Sequence, residues 1–351
     1  STAAADPEMT RSGLSRRTVL AGLAAGLTVR VGAGRAAEPP RAGYLLVDLG
    51  GGQVLDAREA DRAYPAASVV KLVTALYALE ALGPDYRFST RLVAGGPVED
   101  GRLSGDLALA GGGDPVLDTD ALGALAAELG GIRAVSGQFR VDAGALPAID
   151  RIADDQPDAA GYNPAIAGVN LNFNRVYLQW VPGASGPKTA FSAPGQRYEV
   201  DVPFVRAEVS RAVREPTHGF GPGGEVWHLP ARGMRGKGSL WLPVREPVAY
   251  AGEVFAALAG RAGLSLTPAG AGPVAAGTLL AERRSAPVSD LLRGMLFHST
   301  NLTAEVLGLR ASQARGGGPG NLPQSAAAMT DWARAEYGLE TRSFPLSTYR
   351  V

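Results

Sequence analysis

The chain contains no cysteine among its 351 residues. This absence excludes disulfide bonds, thiol catalysis and cysteine-ligated metal sites. It leaves the cellular compartment open, because cytosolic proteins can also lack cysteine. Histidine is scarce as well: the three histidines show no metal-ligand spacing, so the sequence predicts no metal site, and we interpret His298 as a packing or surface residue.

Neither sign of charge is in excess, since 34 Lys and Arg residues balance 34 Asp and Glu residues. The polybasic surface typical of nucleic-acid binding or of contact with anionic membranes is therefore not expected. With 46% hydrophobic and 19% charged residues, the chain can form two domains with hydrophobic cores.

The apolar run at residues 18–29 is shorter than the roughly 20 residues that a membrane-spanning helix needs. It follows Arg16 and Arg17 and precedes small residues at positions 33–38. This pattern predicts a signal peptide over residues 1–37, of the twin-arginine type, with a general secretory signal as the alternative and Met9 as the translation start. We expect a periplasmic or extracytoplasmic protein without a transmembrane anchor after signal removal.

Only three lysines occur, and two of them follow a serine at the third position. Ser68 and Lys71 precede an apolar pattern with helical spacing, so both side chains are expected on one helical face. A buried lysine can act as the base that activates a serine hydroxyl, although an ordinary buried helix would show the same pattern. Ser185 and Lys188 lie among Gly and Pro residues, and we interpret this second pair as a loop.

A second candidate motif, Ser-Thr-Asn, occupies residues 299–301. It lies between two segments with helical periodicity, where Ser299 could relay a proton and Asn301 could bind a substrate carbonyl. A helix-capping cluster is the alternative interpretation, because these residue types are common at helix starts.

Two further motifs accompany these pairs, Gly-Gly-Gly-Asp-Pro at residues 111–115 and Asn-Leu-Asn-Phe-Asn-Arg at residues 170–175. Together the four motifs resemble those of the D-alanyl-D-alanine carboxypeptidase/endopeptidase family, the low-molecular-mass class C penicillin-binding proteins. That family carries a large insertion between its first two active-site motifs, which fits the long separation of Ser68 from Ser299. By residue properties alone, Asp114 is expected to cap a turn rather than to catalyse.

The resemblance implies an acyl-enzyme mechanism on peptidoglycan stem peptides. Ser68 would attack the carbonyl of the penultimate D-alanine and Lys71 would take its proton. Ser299 would help to protonate the leaving amine, and Asn301 would bind a substrate carbonyl and Lys71. β-Lactams would acylate Ser68 as covalent inhibitors, and no cofactor is implied.

The family's third motif, Lys-Thr-Gly, does not occur in the sequence; Lys188 is followed by Thr189 and Ala190. In the family that motif supplies an oxyanion N–H and a cation for the substrate carboxylate. We therefore expect a C-terminally truncated or frameshifted chain that is weakly active or inactive. Two alternatives stay open, a noncatalytic peptidoglycan-binding pseudoenzyme and a related serine hydrolase such as an esterase or β-lactamase.

The predicted fold class is α+β, a β-lactamase/transpeptidase-like split domain in which an antiparallel sheet packs with helices. Residues 38–87 and 246–351 would form its two parts, the second incomplete, and residues 88–245 a strand-rich insertion. Hairpin strands are expected at residues 44–49 and 53–56, and short strands at 91–94, 107–110, 138–141 and 176–180. Helices are expected after Ser68 and at residues 249–262, 288–297, 302–309 and 326–337.

Overall fold

The structure, a computed structural model, describes residues 43–62, 64, 66–273 and 277–338. The predicted signal peptide at residues 1–37 and the end of the chain at residues 339–351 lie outside the described residues. The chain divides into two compact units, and the division falls between residues 64 and 65. No helix in the described ranges is long and apolar enough to cross a membrane.

The helices of the described residues are α1 Lys71–Leu82, α2 Thr119–Ala127, α3 Pro247–Arg261, α4 Val288–His298, α5 Asn301–Ala314 and α6 Leu322–Tyr337. The strands are β1 Tyr44–Val47, β2 Val54–Arg58, β3 Ser89–Ala94, β4 Val98–Glu99, β5 Arg102–Leu103, β6 Leu107–Gly111, β7 Ala134–Val135, β8 Phe139–Asp142, β9 Arg175–Val181, β10 Lys188–Pro194, β11 Glu199–Asp201, β12 Val205–Ser210, β13 Thr217–Gly221, β14 Gly224–Pro230, β15 Gly238–Pro243, β16 Pro268–Ala271 and β17 Thr278–Arg284.

The first unit contains the predicted hairpin, in which β1 and β2 pair antiparallel. Its turn is closed by the N–H of Asp48, which donates to the carbonyl of Gln53 at 2.8 Å. The Asp48 carboxylate in turn accepts the N–H of Gly51 at 2.8 Å, as aspartate commonly does in turns.

In the second unit, helices α1, α4, α5 and α6 share one hydrophobic core. The α1 residue Tyr77 packs its ring against Trp332 of α6, with ring centroids 5.0 Å apart. Helix α1 ends at Gly83, whose positive φ of 84° favours glycine. This helical core carries the segments around Ser68 and residues 299–301.

A second core lies among the strands. A five-stranded mixed sheet runs β16-β8-β6-β3-β17, and the other sheets of the second unit run β11-β10-β9-β15, β12-β14-β13 and β4-β5-β7. The four short strands predicted between residues 91 and 180 are present as β3, β6, β8 and β9. The α+β class is thus confirmed.

The structure contains one helix that the sequence prediction missed. Helix α2 follows Asp118, whose side chain caps it by accepting the N–H of Ala121 at 2.7 Å. Its Leu122 and Leu125 are fully buried in the strand core.

The strand core also continues past residue 245. Phe255 of α3 packs against Phe139 of β8 with ring centroids 5.4 Å apart, and β17 pairs antiparallel with β3. These contacts favour an insertion that ends near residue 285, later than the sequence suggested. The division into domains stays a prediction.

Candidate active site

Lys71, the first residue of α1, is the centre of a polar cluster in the second unit. Its side chain is almost fully buried, with 1% of the residue exposed. The Nζ atom donates to Ser68 Oγ at 3.1 Å, to Ser299 Oγ at 3.3 Å and to Asn301 Oδ1 at 2.8 Å. The three other sequence-predicted site residues therefore all contact the amine nitrogen of Lys71.

Burial lowers the pKa of Lys71, because removing an ammonium group from water disfavours its charged form. The negative charge of Glu305 acts in the opposite direction and raises it. The three hydrogen-bond partners of Nζ are neutral groups, two hydroxyls and one amide oxygen. This environment favours release of the proton, so the amine can serve as a base.

Ser68 lies in a 3-10 turn, Ala67–Val70, directly before α1. The turn continues into the helix, so the spacing of three residues places the hydroxyl beside Lys71 Nζ, as the sequence predicted. Unlike Lys71, Ser68 is exposed. The hydroxyl is thus open to a substrate on one side and in contact with a candidate base on the other.

Ser299 reaches the cluster through an unusual backbone conformation. It ends α4 with φ 54° and ψ 39°, in the left-handed region where glycine is more common, and its N–H donates to the carbonyl of Met295. Thr300 occupies the N-cap position of α5 but makes no side-chain capping bond. The Ser299 hydroxyl contacts Lys71 instead. The capping interpretation of residues 299–301 is therefore wrong.

The amide of Asn301 connects two parts of the second unit. Its oxygen accepts from Lys71, and its Nδ2 donates to the backbone carbonyl of Tyr162 at 3.1 Å. Because an amide presents an oxygen and a nitrogen in fixed geometry, the Tyr162 carbonyl holds the oxygen towards Lys71.

Sequence reasoning missed two residues of this environment. Tyr162 contributes a backbone carbonyl, for which its side chain gives no signal. Glu305 gave a signal that could have been used: it is the one charged residue in the apolar run 302–309, four positions after Asn301 on the same helix, and it is 8% exposed.

The second Ser-x-x-Lys pair lies elsewhere. Ser185 lies in the turn between β9 and β10, and Lys188 begins β10; both residues are exposed. The interpretation of this pair as a loop is confirmed for Ser185 and wrong for Lys188, which pairs in a strand. His298 is also exposed, as expected of a surface residue, and its ring packs edge-on against Phe297.

The motifs at 111–115 and 170–175 form structural turns. Asp114 accepts the N–H of Val116 at 3.0 Å, which confirms the predicted turn cap. Residues 172–174 all have positive φ, and the buried Asn172 amide donates to Thr119 Oγ1 at 2.9 Å and to Tyr250 Oη at 3.4 Å. These bonds tie the turn to α2 and α3.

Comparison with known proteins identifies the family of the chain. Residues 35–347 match the model of the D-Ala-D-Ala carboxypeptidase 3 (S13) family. The chain belongs to this family. A D-alanyl-D-alanine carboxypeptidase of Actinomadura sp. is 28% identical over 295 residues, covering 78% of this chain and 54% of the relative. The D-alanyl-D-alanine carboxypeptidase DacB of Haemophilus influenzae is 27% identical over 291 residues, covering 77% and 58%. The chain thus spans a little over half the length of these curated relatives.

Solved structures of family relatives show the same fold. Penicillin binding protein 4 (dacB) of Haemophilus influenzae superposes with a TM-score of 0.69 at 21% identity, covering 87% of this chain and 71% of the other. Its complex with a β-lactam gives a TM-score of 0.65 at 19% identity, with 88% and 70% covered. The transpeptidase-like α+β fold expected from the sequence is therefore confirmed for this family member.

Proposed function

We propose that this chain is a serine D-Ala-D-Ala carboxypeptidase that acts on peptidoglycan stem peptides through an acyl-enzyme on Ser68. The observation that carries the proposal is the position of Lys71 Nζ, 3.1 Å from Ser68 Oγ, buried and bonded to neutral groups. Family membership and the names of the relatives support the same activity.

In the first step, neutral Lys71 accepts the proton of Ser68 while Oγ attacks the carbonyl carbon of the penultimate D-alanine. The resulting tetrahedral intermediate carries a negative oxygen, which backbone N–H groups stabilise in such reactions. The proton then passes from Lys71 to the leaving amine, and the Ser299 hydroxyl, 3.3 Å from Nζ, offers the relay. The C–N bond breaks, and the terminal D-alanine leaves.

In the second step, water attacks the acyl-enzyme, again with Lys71 as the base, and the shortened peptide is released with Ser68 restored. Asn301 fixes Lys71 through its oxygen and offers its amide to a substrate carbonyl. A β-lactam follows the first step alone, because its ring amide opens without a departing fragment. Capture of β-lactams on Ser68 is thus part of the proposal.

The proposed substrate places the protein outside the cytoplasm, since peptidoglycan stem peptides are crosslinked there. The predicted signal peptide at residues 1–37 supports the same location. Extracytoplasmic action and stem-peptide recognition are accordingly part of one proposal.

Intact-mass spectrometry with benzylpenicillin tests the acylation. We expect a stoichiometric adduct on the wild-type chain and none on Ser68→Ala. Ser185→Ala provides a matched control, because it removes the serine of the other Ser-x-x-Lys pair, and we expect it to form the adduct normally. Absence of an adduct on folded wild-type chain, or an adduct that survives in Ser68→Ala, would contradict the proposal.

Release of D-alanine from a D-Ala-D-Ala peptide tests the substrate class. A pseudoenzyme would bind muropeptides equally well after Ser68→Ala and release nothing. An esterase or β-lactamase would turn over an ester or nitrocefin rapidly and leave the peptide intact.

A further inference from the structure

Arg245, between β15 and α3, is a buried cation outside the Lys71 cluster, and 7% of its surface is exposed. Its guanidinium donates to three backbone carbonyls. Nη1 contacts the carbonyl oxygens of Asp150 at 3.2 Å and Asn163 at 2.7 Å, and Nη2 contacts that of Asp158 at 3.0 Å. One side chain thus fixes three points of the irregular segment 150–163.

The same segment ends at the candidate active site. The carbonyl of Tyr162, which precedes Asn163 in the chain, accepts the Nδ2 of Asn301. Asn301 in turn accepts from Lys71 Nζ. A continuous set of contacts therefore runs from Arg245 through the segment 150–163 to the amine of Lys71.

The backbone of Arg245 is itself fixed by a hydrogen bond to Glu225, which is fully buried. Glu225 Oε1 accepts the N–H groups of Arg245 and Glu246, each at 2.8 Å, and Oε2 lies 3.0 Å from His218 Nε2. The N–H of His218 also donates to the Asp158 carboxylate at 3.0 Å. With both its backbone and its guanidinium held, Arg245 has little freedom to move.

We propose that Arg245 is a positioning residue for the reaction at Ser68, acting through the segment 150–163 and the amide of Asn301. The inference rests on the proposed function and names a residue that touches neither Ser68 nor Lys71. Arginine suits this task because its donors are spread over a rigid planar fork that reaches separate carbonyls, whereas the three N–H donors of a lysine share one atom on a flexible stem.

A purely structural role would predict a different outcome. An arginine that only stabilises the fold would change the acylation rate independently of Asn301. A positioning arginine loses its effect once the Asn301 side chain has been removed, because nothing then transmits the position of the Tyr162 carbonyl to Lys71. A double-mutant cycle separates the two, since residues that act through one another are not additive.

The experiment measures the rate of benzylpenicillin acylation by intact-mass spectrometry for the wild type, Arg245→Met, Asn301→Ala and the double variant. We expect Arg245→Met to slow acylation about 100-fold, since displacement of a catalytic group by roughly 1 Å can cost that much. In the Asn301→Ala background, the same substitution should cost less than about 2-fold. Arg232→Met is the matched control, because Arg232 also donates its guanidinium to a backbone carbonyl, that of Arg214, but outside the segment 150–163, and it should acylate normally.

Circular dichroism establishes that each variant is folded. If Arg245→Met does not fold, Arg245→Lys replaces it in the cycle, because it keeps the charge and loses the fork. Equal losses in both backgrounds, or normal acylation by a folded Arg245 variant, would overturn the inference.

A wild-type chain that forms no adduct would refute the proposed function instead. The positioning claim is then decided by a crystal structure of Arg245→Lys. We expect the contact between the Tyr162 carbonyl and Asn301 Nδ2 to be broken, and an intact contact would overturn the inference.

Discussion

The helical region and the strand-rich region each bury a cation, and the two cations differ in what surrounds them. Lys71 is 1% exposed and Arg245 is 7% exposed. Lys71 Nζ donates to two hydroxyls and an amide oxygen, whereas the Arg245 guanidinium donates to backbone carbonyls. Burial lowers the pKa of both side chains.

Burial has different consequences for Lys71 and for Arg245. A lysine can lose its proton when it is removed from water, but an arginine stays charged at any accessible pH. The pKa of Arg245 is lowered by burial and by Arg151, and it is raised by the carboxylates of Asp158, Glu225 and Asp150. A buried lysine whose amine is bonded to two hydroxyls and an amide oxygen, with one carboxylate, Glu305, acting on it, is suited to proton transfer. A buried arginine with three carboxylates acting on it is suited to holding a backbone.

The largest predicted effect tests whether Lys71, unlike Arg245, must be able to lose its proton. In Lys71→Arg the cation remains but cannot act as a base, so we expect benzylpenicillin acylation to slow by about 10²- to 10⁴-fold. The rate of adduct formation on folded variant measures this. Lys188→Arg makes the same change in the exposed pair and should leave the rate unchanged. An arginine at position 71 that acylates within tenfold of wild type would show that no proton acceptor is needed there.

The contrast extends to buried carboxylates. Glu225 interacts with two backbone N–H groups and the His218 ring, whereas Asp114 accepts one bond, from Val116. Burial raises the pKa of Asp114 to about 6 from an ordinary value of 3.8; the Val116 N–H opposes this and the charge of Asp118 adds to it. A carboxyl group with few donors is thus more stable in the fold when it is protonated.

Asp114→Asn should accordingly change how stability depends on pH. Because the folded-state pKa lies above the unfolded value, the wild type is favoured below about pH 4 and loses this contribution as the pH rises through about 6. The loss amounts to about 3 kcal/mol, and the asparagine variant, which keeps an oxygen for the Val116 N–H, should not show it. Urea unfolding between pH 4 and pH 7.5 measures the difference. A constant gap between the two proteins across this range would contradict the prediction.

Local pattern was enough to predict that the Ser68 and Lys71 side chains lie side by side. Ser68 and Lys71 lie on consecutive turns of one helical segment, so their spacing in the sequence fixes their distance. The short strands and the hairpin followed from alternation and turn residues in the same local way. Helix α2 was missed although Asp118 supplies a cap signal, because strands precede and follow it.

Contacts between distant segments could not be predicted in this way. The Tyr162 carbonyl lies 139 positions from Asn301, and its backbone oxygen is chemically the same as any other. The role of Arg245 likewise depends on where the chain brings residues 150, 158 and 163. Motif reading predicted the residues of the candidate site but not the contacts that position them.

The smallest predicted effect concerns the influence of Glu305 on the pKa of Lys71. Glu305 lies one helical turn after Asn301, and its charge raises the pKa of Lys71 against the effect of burial. Glu305→Gln removes that charge at similar volume, so the pKa of Lys71 should fall further. Acylation speeds up with rising pH as the neutral amine forms, and its midpoint should therefore move to lower pH, by about one unit or less.

The pH dependence of the adduct-formation rate measures this midpoint. Asp331→Asn, at an exposed carboxylate paired with Arg334, is the control and should leave it in place. A midpoint that stays fixed or moves to higher pH in Glu305→Gln would mean that the charge of Glu305 does not act on Lys71. A midpoint at lower pH would show that the Glu305 carboxylate partly offsets the effect of burial on the pKa of Lys71. Three carboxylates oppose the effect of burial on the pKa of Arg245 in the same way.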